Sequence, residues 1–184
     1  MRASAAALLI VAVALLAVAG CGGDTTARDD QLSPSERKWL NYIEDEGVPD
    51  LRKAMPQLAK CAGHYSTGAI TGSVQEWNGG TRHLNKAVAI VEDATARIDT
   101  LSSFSGVEGK TWDAVAEISD DFIDATNQIV DWVNEFKAIR NAGPYAPDFG
   151  ENMQQYSRQF QRKHLKKAMS AILEKIDAVN AQTQ

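Results

Sequence analysis

The sequence has 184 residues, which is enough for one domain and too few for two domains of ordinary size. Its composition, with 44% apolar and 23% charged residues, is that of a globular protein and excludes a wholly disordered chain. A formal net charge of −5 at pH 7 argues against a nucleic-acid partner, and two cysteines are too few for a multi-bridge disulfide framework.

The first twenty residues have the pattern of a secretory signal peptide. Arg2 supplies a short positive region, and an almost unbroken apolar run extends from Ala5 to Val18. This run is short for a spanning helix, which needs about 20 apolar residues to cross the hydrocarbon core of a membrane. We therefore predict that residues 1–20 are a cleaved export signal.

The residues Val18-Ala19-Gly20-Cys21 end this apolar run. They resemble the lipobox of bacterial lipoproteins, in which small residues precede a cysteine that is lipidated and becomes the first residue of the mature chain. The resemblance covers only the processing signal. It implies a diacylglycerol on the Cys21 sulfur, often with a third acyl chain on its amine, and two or more chains anchor stably where one does not. The alternative is an ordinary signal peptide cut nearby, with Cys21 left as a free thiol.

Residues 21–32 are mostly small and polar, which is typical of a flexible tether between a lipid and a folded domain. The resemblance implies that residues 33–184 lie outside the cytoplasmic membrane. Gly22 stands where an aspartate would favour retention at the inner membrane, so the outer membrane is favoured in an organism that has one. Anionic headgroups would not attract a chain of net negative charge, and the expected membrane contact is the lipid on Cys21 alone.

Residues 33–184 have the pattern of an all-α domain. Ser33-Pro34-Ser35-Glu36 combines an N-cap, a proline suited to the first turn and a capping-box glutamate. We predict a first helix over 34–66, interrupted at 47–49 and kinked at Pro56, which has no N–H to donate. Apolar residues four and three apart form its core face: Leu51, Met55, Leu58, Ala62 and Tyr65.

Three further helices are predicted over 74–104, 106–141 and 148–182. The apolar stripe changes phase across 67–73, and glycines or prolines with new capping residues separate the later helices. Gly79-Gly80 weakens the start of the second helix, so an alternative start lies near Thr81. The core-facing residues include Val74, Trp77, Leu84, Val88, Val91 and Ile98, then Val115, Phe122, Ile129, Val133 and Phe136, and finally Leu165, Met169, Ile172, Ile176 and Val179.

Four predicted helices of similar length with short connections favour antiparallel neighbours. The predicted fold is therefore an up-down-up-down four-helix bundle with a kinked first helix, preceded by the cleaved signal peptide and the tether. The alternative is a three-helix bundle with residues 34–46 lying across one end. A hairpin centred on 142–147 would place Asp124 of the third helix near Lys166 of the fourth. The acidic residues of the third helix would then face the basic run of the fourth. The acidic residues are Asp113, Glu117, Asp120, Asp124, Asp131 and Glu135, and the basic run is Arg158, Arg162, Lys163, Lys166 and Lys167.

Cys61 and His64 lie three residues apart on one face of the first predicted helix. A thiol and an imidazole are half of a soft-metal site for copper(I) or zinc, which makes these two residues weak metal candidates. His83 and His164 lie far along the chain and have no partner at ligand spacing. The favoured interpretation is a buried cysteine that behaves as a small hydrophobe, in a protein without metal or cofactor.

The sequence has no nucleophile elbow, no phosphate-binding glycine loop and no HExxH helix. We therefore expect a non-enzymatic protein that acts by binding an envelope protein partner, although the sequence assigns no residue to that contact. The alternatives are a carrier of a small apolar ligand held between the helices and, less favoured, a metal-binding protein that uses Cys61 and His64. A carrier needs an internal cavity of about 300 Å³ or more, whereas an interaction protein has a filled core and an exposed apolar patch.

Overall fold

The computed structural model describes residues 32–101, 113–147, 149–153 and 162–183, and all regular structure in these ranges is helical. The predicted all-α class is therefore confirmed for the described part of the chain. Residues 149–153 form a short helical stretch. The longer helices are α1 (Pro34–Tyr42), α2 (Val48–Thr71), α3 (Val74–Leu101), α4 (Asp113–Ala142) and α5 (Arg162–Gln182).

The first helix is more continuous than predicted. A π-helical segment, Ile43–Gly47, joins α1 to α2, and the residues at its two ends keep right-handed helical dihedral angles. The chain thus runs as one helix from Pro34 to Thr71, a length of roughly 55 Å at 1.5 Å per residue. The predicted interruption at 47–49 is wrong, and so is the alternative in which 34–46 lies across one end.

The start of this long helix follows the sequence signal. The Ser33 hydroxyl accepts a hydrogen bond from the Glu36 N–H at 3.2 Å, and the Glu36 carboxylate accepts one from the Ser33 N–H at 2.8 Å. This reciprocal pair is the predicted capping box. Pro56 lies inside α2, which continues through it even though its ring nitrogen cannot donate to the carbonyl of Arg52.

Helix α2 ends five residues later than predicted, at Thr71. Gly72 adopts the left-handed conformation with a φ of 68°, which glycine reaches without steric cost, and the chain reverses there into α3. Helix α3 begins at Val74 and continues through Gly79 and Gly80, so the predicted start is right and the alternative near Thr81 is wrong.

Buried glycines bring α2 and α3 into close contact. A Cβ on Gly80 would lie 2.5 Å from the Tyr65 ring, and one on Gly68 would lie 3.0 Å from the backbone nitrogen of Trp77. Side chains at both positions would therefore hold the helices farther apart. The Tyr65 hydroxyl also lies 3.1 Å from the Thr81 hydroxyl across the same contact.

Helices α4 and α5 are in contact, but not through the expected ion pair. The Lys175 ammonium donates to Glu117 at 2.6 Å and to Asp121 at 2.7 Å. Asp124 and Lys166 form no ion pair with any described residue, so the pairing expected between them is not made. The contact is made instead by Lys175, which was not part of the basic run expected to face the acidic residues.

The core is continuous between the helices. Trp39 of α1 donates from its indole N–H to the Ser119 hydroxyl of α4 at 2.5 Å, and Phe122 packs edge-on against the Trp39 ring. Val74 of the predicted core stripes is exposed, because it lies at the first position of α3 beside the turn at Gly72, and Ala62, Trp77, Val88 and Ile98 are only partly buried. The predicted stripes are otherwise buried, as shown by Leu51, Met55, Leu58, Tyr65, Leu84, Val91, Val115, Phe122, Ile129, Val133, Phe136, Leu165, Met169, Ile172, Ile176 and Val179.

Candidate functional site

Of the two cysteines singled out by the sequence, the structure describes only Cys61. Cys21 lies outside the described residues. Cys61 is a free cysteine with a fully buried side chain, and burial raises the pKa of its thiol to about 12, although a hydrogen bond with Tyr65 acts in the opposite direction. The structure therefore places the Cys61 thiol in the apolar core, as the sequence pattern predicts.

The suggested metal pair of Cys61 and His64 is not supported by the geometry. The His64 imidazole is about a third exposed and binds a carboxylate of α3, whereas the Cys61 thiol is buried in the core. Within the described ranges, no group of three or more histidine, cysteine, aspartate or glutamate side chains is arranged to hold a metal ion.

The structure brings His64 instead to a second imidazole. His64 of α2 and His83 of α3 have ring centroids 5.2 Å apart and ring planes inclined by 15°. His64 Nδ1 lies 2.7 Å from a Glu76 carboxylate oxygen, and His83 Nδ1 lies 2.8 Å from the Gln57 amide oxygen. Each histidine is therefore held by an oxygen of the opposite helix. We call His64 and His83 the histidine pair.

Positive charge lies near His83 from both helices: Lys60 is on α2, and Arg82 and Lys86 are on α3. Partial desolvation lowers the pKa of His83, and His64, Lys60, Lys86 and Arg82 lower it further. The neutral form of His83 is therefore favoured near pH 7. Because the Gln57 amide oxygen can only accept, the proton of the neutral ring lies on Nδ1 and the lone pair lies on Nε2.

Sequence reasoning missed this pair although the signal was present. His64 lies eight residues before Gly72 and His83 eleven residues after it. Two antiparallel helices that meet at this turn place positions at similar distances from it side by side. The predicted turn over 67–73 was broad enough to obscure this register, and the two histidines were treated as distant.

The exposed large apolar side chains of the described residues gather at one end of the molecule. Ile70 is 84% exposed, Val74 72% and Tyr145 79%. Ile70 and Val74 flank the turn at Gly72, and a Cβ on Gly72 would lie 3.6 Å from the Tyr145 hydroxyl oxygen. We call Ile70, Val74 and Tyr145 the apolar end.

The apolar end lies far from the point at which the tether joins the domain. The helix that begins after Ser33 runs roughly 55 Å before it reaches the turn at Gly72. Three residues after Val74, Trp77 packs against Tyr65 with ring centroids 4.4 Å apart and against Phe149 at 5.9 Å. Two of the three residues of the apolar end, Ile70 and Val74, belong to the packed helices α2 and α3.

Two grooves follow helix pairs along the surface. The groove between α3 and α4 has a volume of about 310 Å³ and is lined by Val88, Val91, Val130 and Val133, with Lys137 and Glu92 3.9 Å apart among its charged lining residues. The groove between α4 and α5 has a volume of about 330 Å³ and is lined by small, acidic and imidazole side chains. Both open onto solvent and neither is enclosed by the core.

Comparisons with known proteins identify no relative, because no protein-family model, no curated protein and no solved structure matches this chain. In the part of the chain that the structure describes, no helix is both long enough and apolar enough to cross a membrane.

Proposed function

We propose that this chain is a lipid-anchored extracytoplasmic protein that acts by binding an envelope protein partner and catalyses no reaction. In this proposal residues 1–20 are a signal peptide, residues 21–32 are a lipidated tether, and residues 33–184 form an up-down-up-down four-helix bundle. The lipid on Cys21 holds the bundle to the cytoplasmic membrane, or to the outer membrane where there is one. The observation that carries the proposal is the apolar end.

Three exposed apolar side chains at one place favour a protein contact. Isolated apolar residues on a surface need no explanation, but here the large ones that are most exposed lie together. Complete burial of each side chain would contribute about 1.5–3 kcal/mol before the entropic cost of association is subtracted. Tyrosine is enriched in such contacts because its ring is large and its hydroxyl keeps a polar partner.

The arrangement of the helices supports a contact away from the anchoring membrane. The tether enters beside Ser33, and the apolar end lies at the other end of a helix roughly 55 Å long. The bundle topology has similar support: α2 runs antiparallel to α3, since His64 pairs with Glu76 and Gln57 with His83, and α4 meets α5 at Lys175.

Site-specific photo-cross-linking in cells tests this proposal. A photoreactive residue in place of Ile70 or Tyr145 should give one discrete adduct with an envelope protein. The same residue in place of Asn127, which is exposed on α4, is the control and should not give that adduct. Ile70→Ser together with Val74→Ser should abolish the adduct formed from position 145. The absence of an adduct at 70 and 145, or equal adducts at all three positions, would contradict the proposal.

The alternative function is transport of a small apolar ligand in the groove between α3 and α4. The groove is lined by valines, and its volume of about 310 Å³ is at the lower limit of ordinary ligand pockets, which span about 300–1,000 Å³. It is open to solvent and is not the internal cavity expected of a carrier. Native mass spectrometry of the protein purified from its own membranes distinguishes the two functions. A bound small molecule that is lost in Val130→Trp would favour the carrier. A metal site formed by Cys61 and His64 is not proposed, because the Cys61 thiol lies in the core.

A further inference from the structure

We propose that Lys60, Arg82 and Lys86 form a surface that binds acidic side chains of the envelope protein partner. We call these three exposed residues of α2 and α3 the basic surface. The inference rests on the proposed function, because it names the chemistry of the partner that the apolar end binds. It depends on different residues, so experiments can separate the two.

Charge is unevenly distributed along the chain. Between Asp50 and Glu92 the sequence has five lysine or arginine residues and one acidic residue, Glu76, whereas the whole chain has 19 basic and 24 acidic residues. A carboxylate oxygen of Glu76 lies 2.7 Å from His64 Nδ1, so this one acidic side chain already has a partner. Helices α2 and α3 therefore form a positive region in a chain of net negative charge.

The three cations of the basic surface lie around His83. Lys60 stands on α2 between the two residues that contact His83 from that helix, one turn from each. Arg82 and Lys86 are four residues apart on α3 and therefore share a face of that helix. Desolvation by burial lowers the pKa of His83 most, and the charges of the three cations lower it further. Positive charge from two helices thus converges on one place.

The basic surface is available to a partner. All three residues are exposed, and within the part of the chain that the structure describes none of them forms an ion pair. Lys53, one of the other basic residues of α2, differs in this respect because its ammonium lies 2.8 Å from a carboxylate oxygen of Asp50. Exposed charges at the rim of an interface mainly increase the association rate and exclude partners of the wrong charge. An acidic partner is the one that this surface selects.

The basic surface lies beside the apolar end, at a distance that one protein can cover. Lys60 precedes Ile70 by ten residues and Lys86 follows Val74 by twelve, which are roughly 15 and 18 Å along the helices. An ordinary interface covers about 800 Å² on each partner, or about 30 Å across, and reaches both. A flat membrane that met the apolar end would stay farther from these lysines than the Debye length of about 8 Å. A protein is therefore favoured over a lipid surface.

Cross-linking from a position beside the basic surface tests the inference in cells. Ala89 is exposed on α3 one turn beyond Lys86, and a photoreactive residue in its place should give an adduct with one protein. Mass spectrometry should locate the cross-link in a segment rich in aspartate and glutamate. Lys60→Glu with Lys86→Glu should lower the yield of this adduct roughly tenfold or more, because like charges then face each other.

Lys163→Glu with Lys167→Glu is the matched control, because it makes the same change of charge at two exposed lysines of α5, and the yield should stay within about twofold. An adduct from position 89 without one from 70 or 145 would contradict the apolar end and support the basic surface. The inference is overturned if position 89 gives no protein adduct, if it labels phospholipid instead, or if the adduct survives charge reversal at 60 and 86. Adducts from 70 and 145 would then still support the proposed function.

Discussion

Glycine at two neighbouring positions of α3 determines how closely that helix approaches α2. The Tyr65 ring covers Gly80, and the His64 ring covers Gly79. From the sequence alone, Gly79-Gly80 is expected only to weaken the helix, since glycine costs about 1 kcal/mol relative to alanine inside a helix. The structure shows the compensating gain, which is the packing of two aromatic rings over the helix backbone.

Gly80→Ala should therefore destabilise the protein although alanine is the better helix former. The new Cβ would lie 2.5 Å from the Tyr65 ring, so the helices must separate or the ring must move, at a cost of typically about 1–3 kcal/mol. Gly63→Ala is the matched control, because nothing lies within 4 Å of its Cβ, and it should stabilise by about 0.5–1 kcal/mol. Chemical denaturation of both variants measures the difference. Equal stabilisation by the two substitutions would mean that α2 and α3 are not in close contact.

The buried thiol of Cys61 should resist alkylation far into the alkaline range. The thiolate is the reactive form, and burial raises the pKa of Cys61 to about 12, so this form is scarce below that pH. Iodoacetamide should modify the folded protein slowly at pH 8–9 and the denatured protein rapidly. Rates are measured by mass spectrometry. Rapid modification of the folded protein at pH 8 would show that Cys61 is not in the core.

At the scale of the helix, the π-helical segment Ile43–Gly47 could not be predicted from the local sequence. Gly47-Val48-Pro49 indicates an interruption, because glycine and proline often end helices. What occurs there depends on a distant residue: a Cβ on Gly47 would lie 2.6 Å from the Phe122 ring of α4. The widened π turn therefore continues the helix while Gly47 accommodates Phe122. A contact between residues so far apart in sequence cannot be deduced from a local pattern.

The position at which α2 ends could not be predicted from the local sequence either. Residues 67–71 include small and β-branched residues, which favour an earlier end of the helix. Gly68 is needed there because the backbone of Trp77 lies 3.0 Å from the position of its Cβ. The capping box at Ser33 and the start of α3 were predictable, because both depend on residues within one turn. The histidine pair required the exact position of the turn at Gly72, and the apolar end also required the contact between that turn and Tyr145, which no local pattern gives.

The register of α4 and α5 can be tested by charge reversal at Lys175. Lys175→Asp should destabilise modestly, and adding Asp121→Lys should recover part of the loss, since an exposed pair contributes only about 0.2–1 kcal/mol. Asp124→Lys with Lys166→Asp is the control pair and should show no coupling, because these residues form no ion pair with each other. The free energies of unfolding of single and double variants give both coupling energies. Coupling at 124 and 166 but not at 121 and 175 would favour the register expected from sequence.

At the scale of the whole molecule, the proposed function depends on the two ends being different. One end receives the tether beside Ser33, and the other presents Ile70, Val74 and Tyr145. Ile70 and Val74 flank one turn, whereas Tyr145 lies about 70 residues farther along the chain, so the sequence alone does not bring the three together. They form a candidate contact only because the turn at Gly72 and the end of α4 meet.

Attachment through the lipid on Cys21 is the claim on which the proposed orientation rests, and fractionation of cells that express Cys21→Ser tests it most directly. The wild type should be found in the membrane fraction, and Cys21→Ser should be released into the soluble extracytoplasmic fraction or the medium, because one substitution removes every acyl chain. Intact mass establishes whether the signal peptide has been cleaved. A Cys21→Ser protein that remains membrane-bound after confirmed cleavage of residues 1–20 would contradict attachment by the lipid alone.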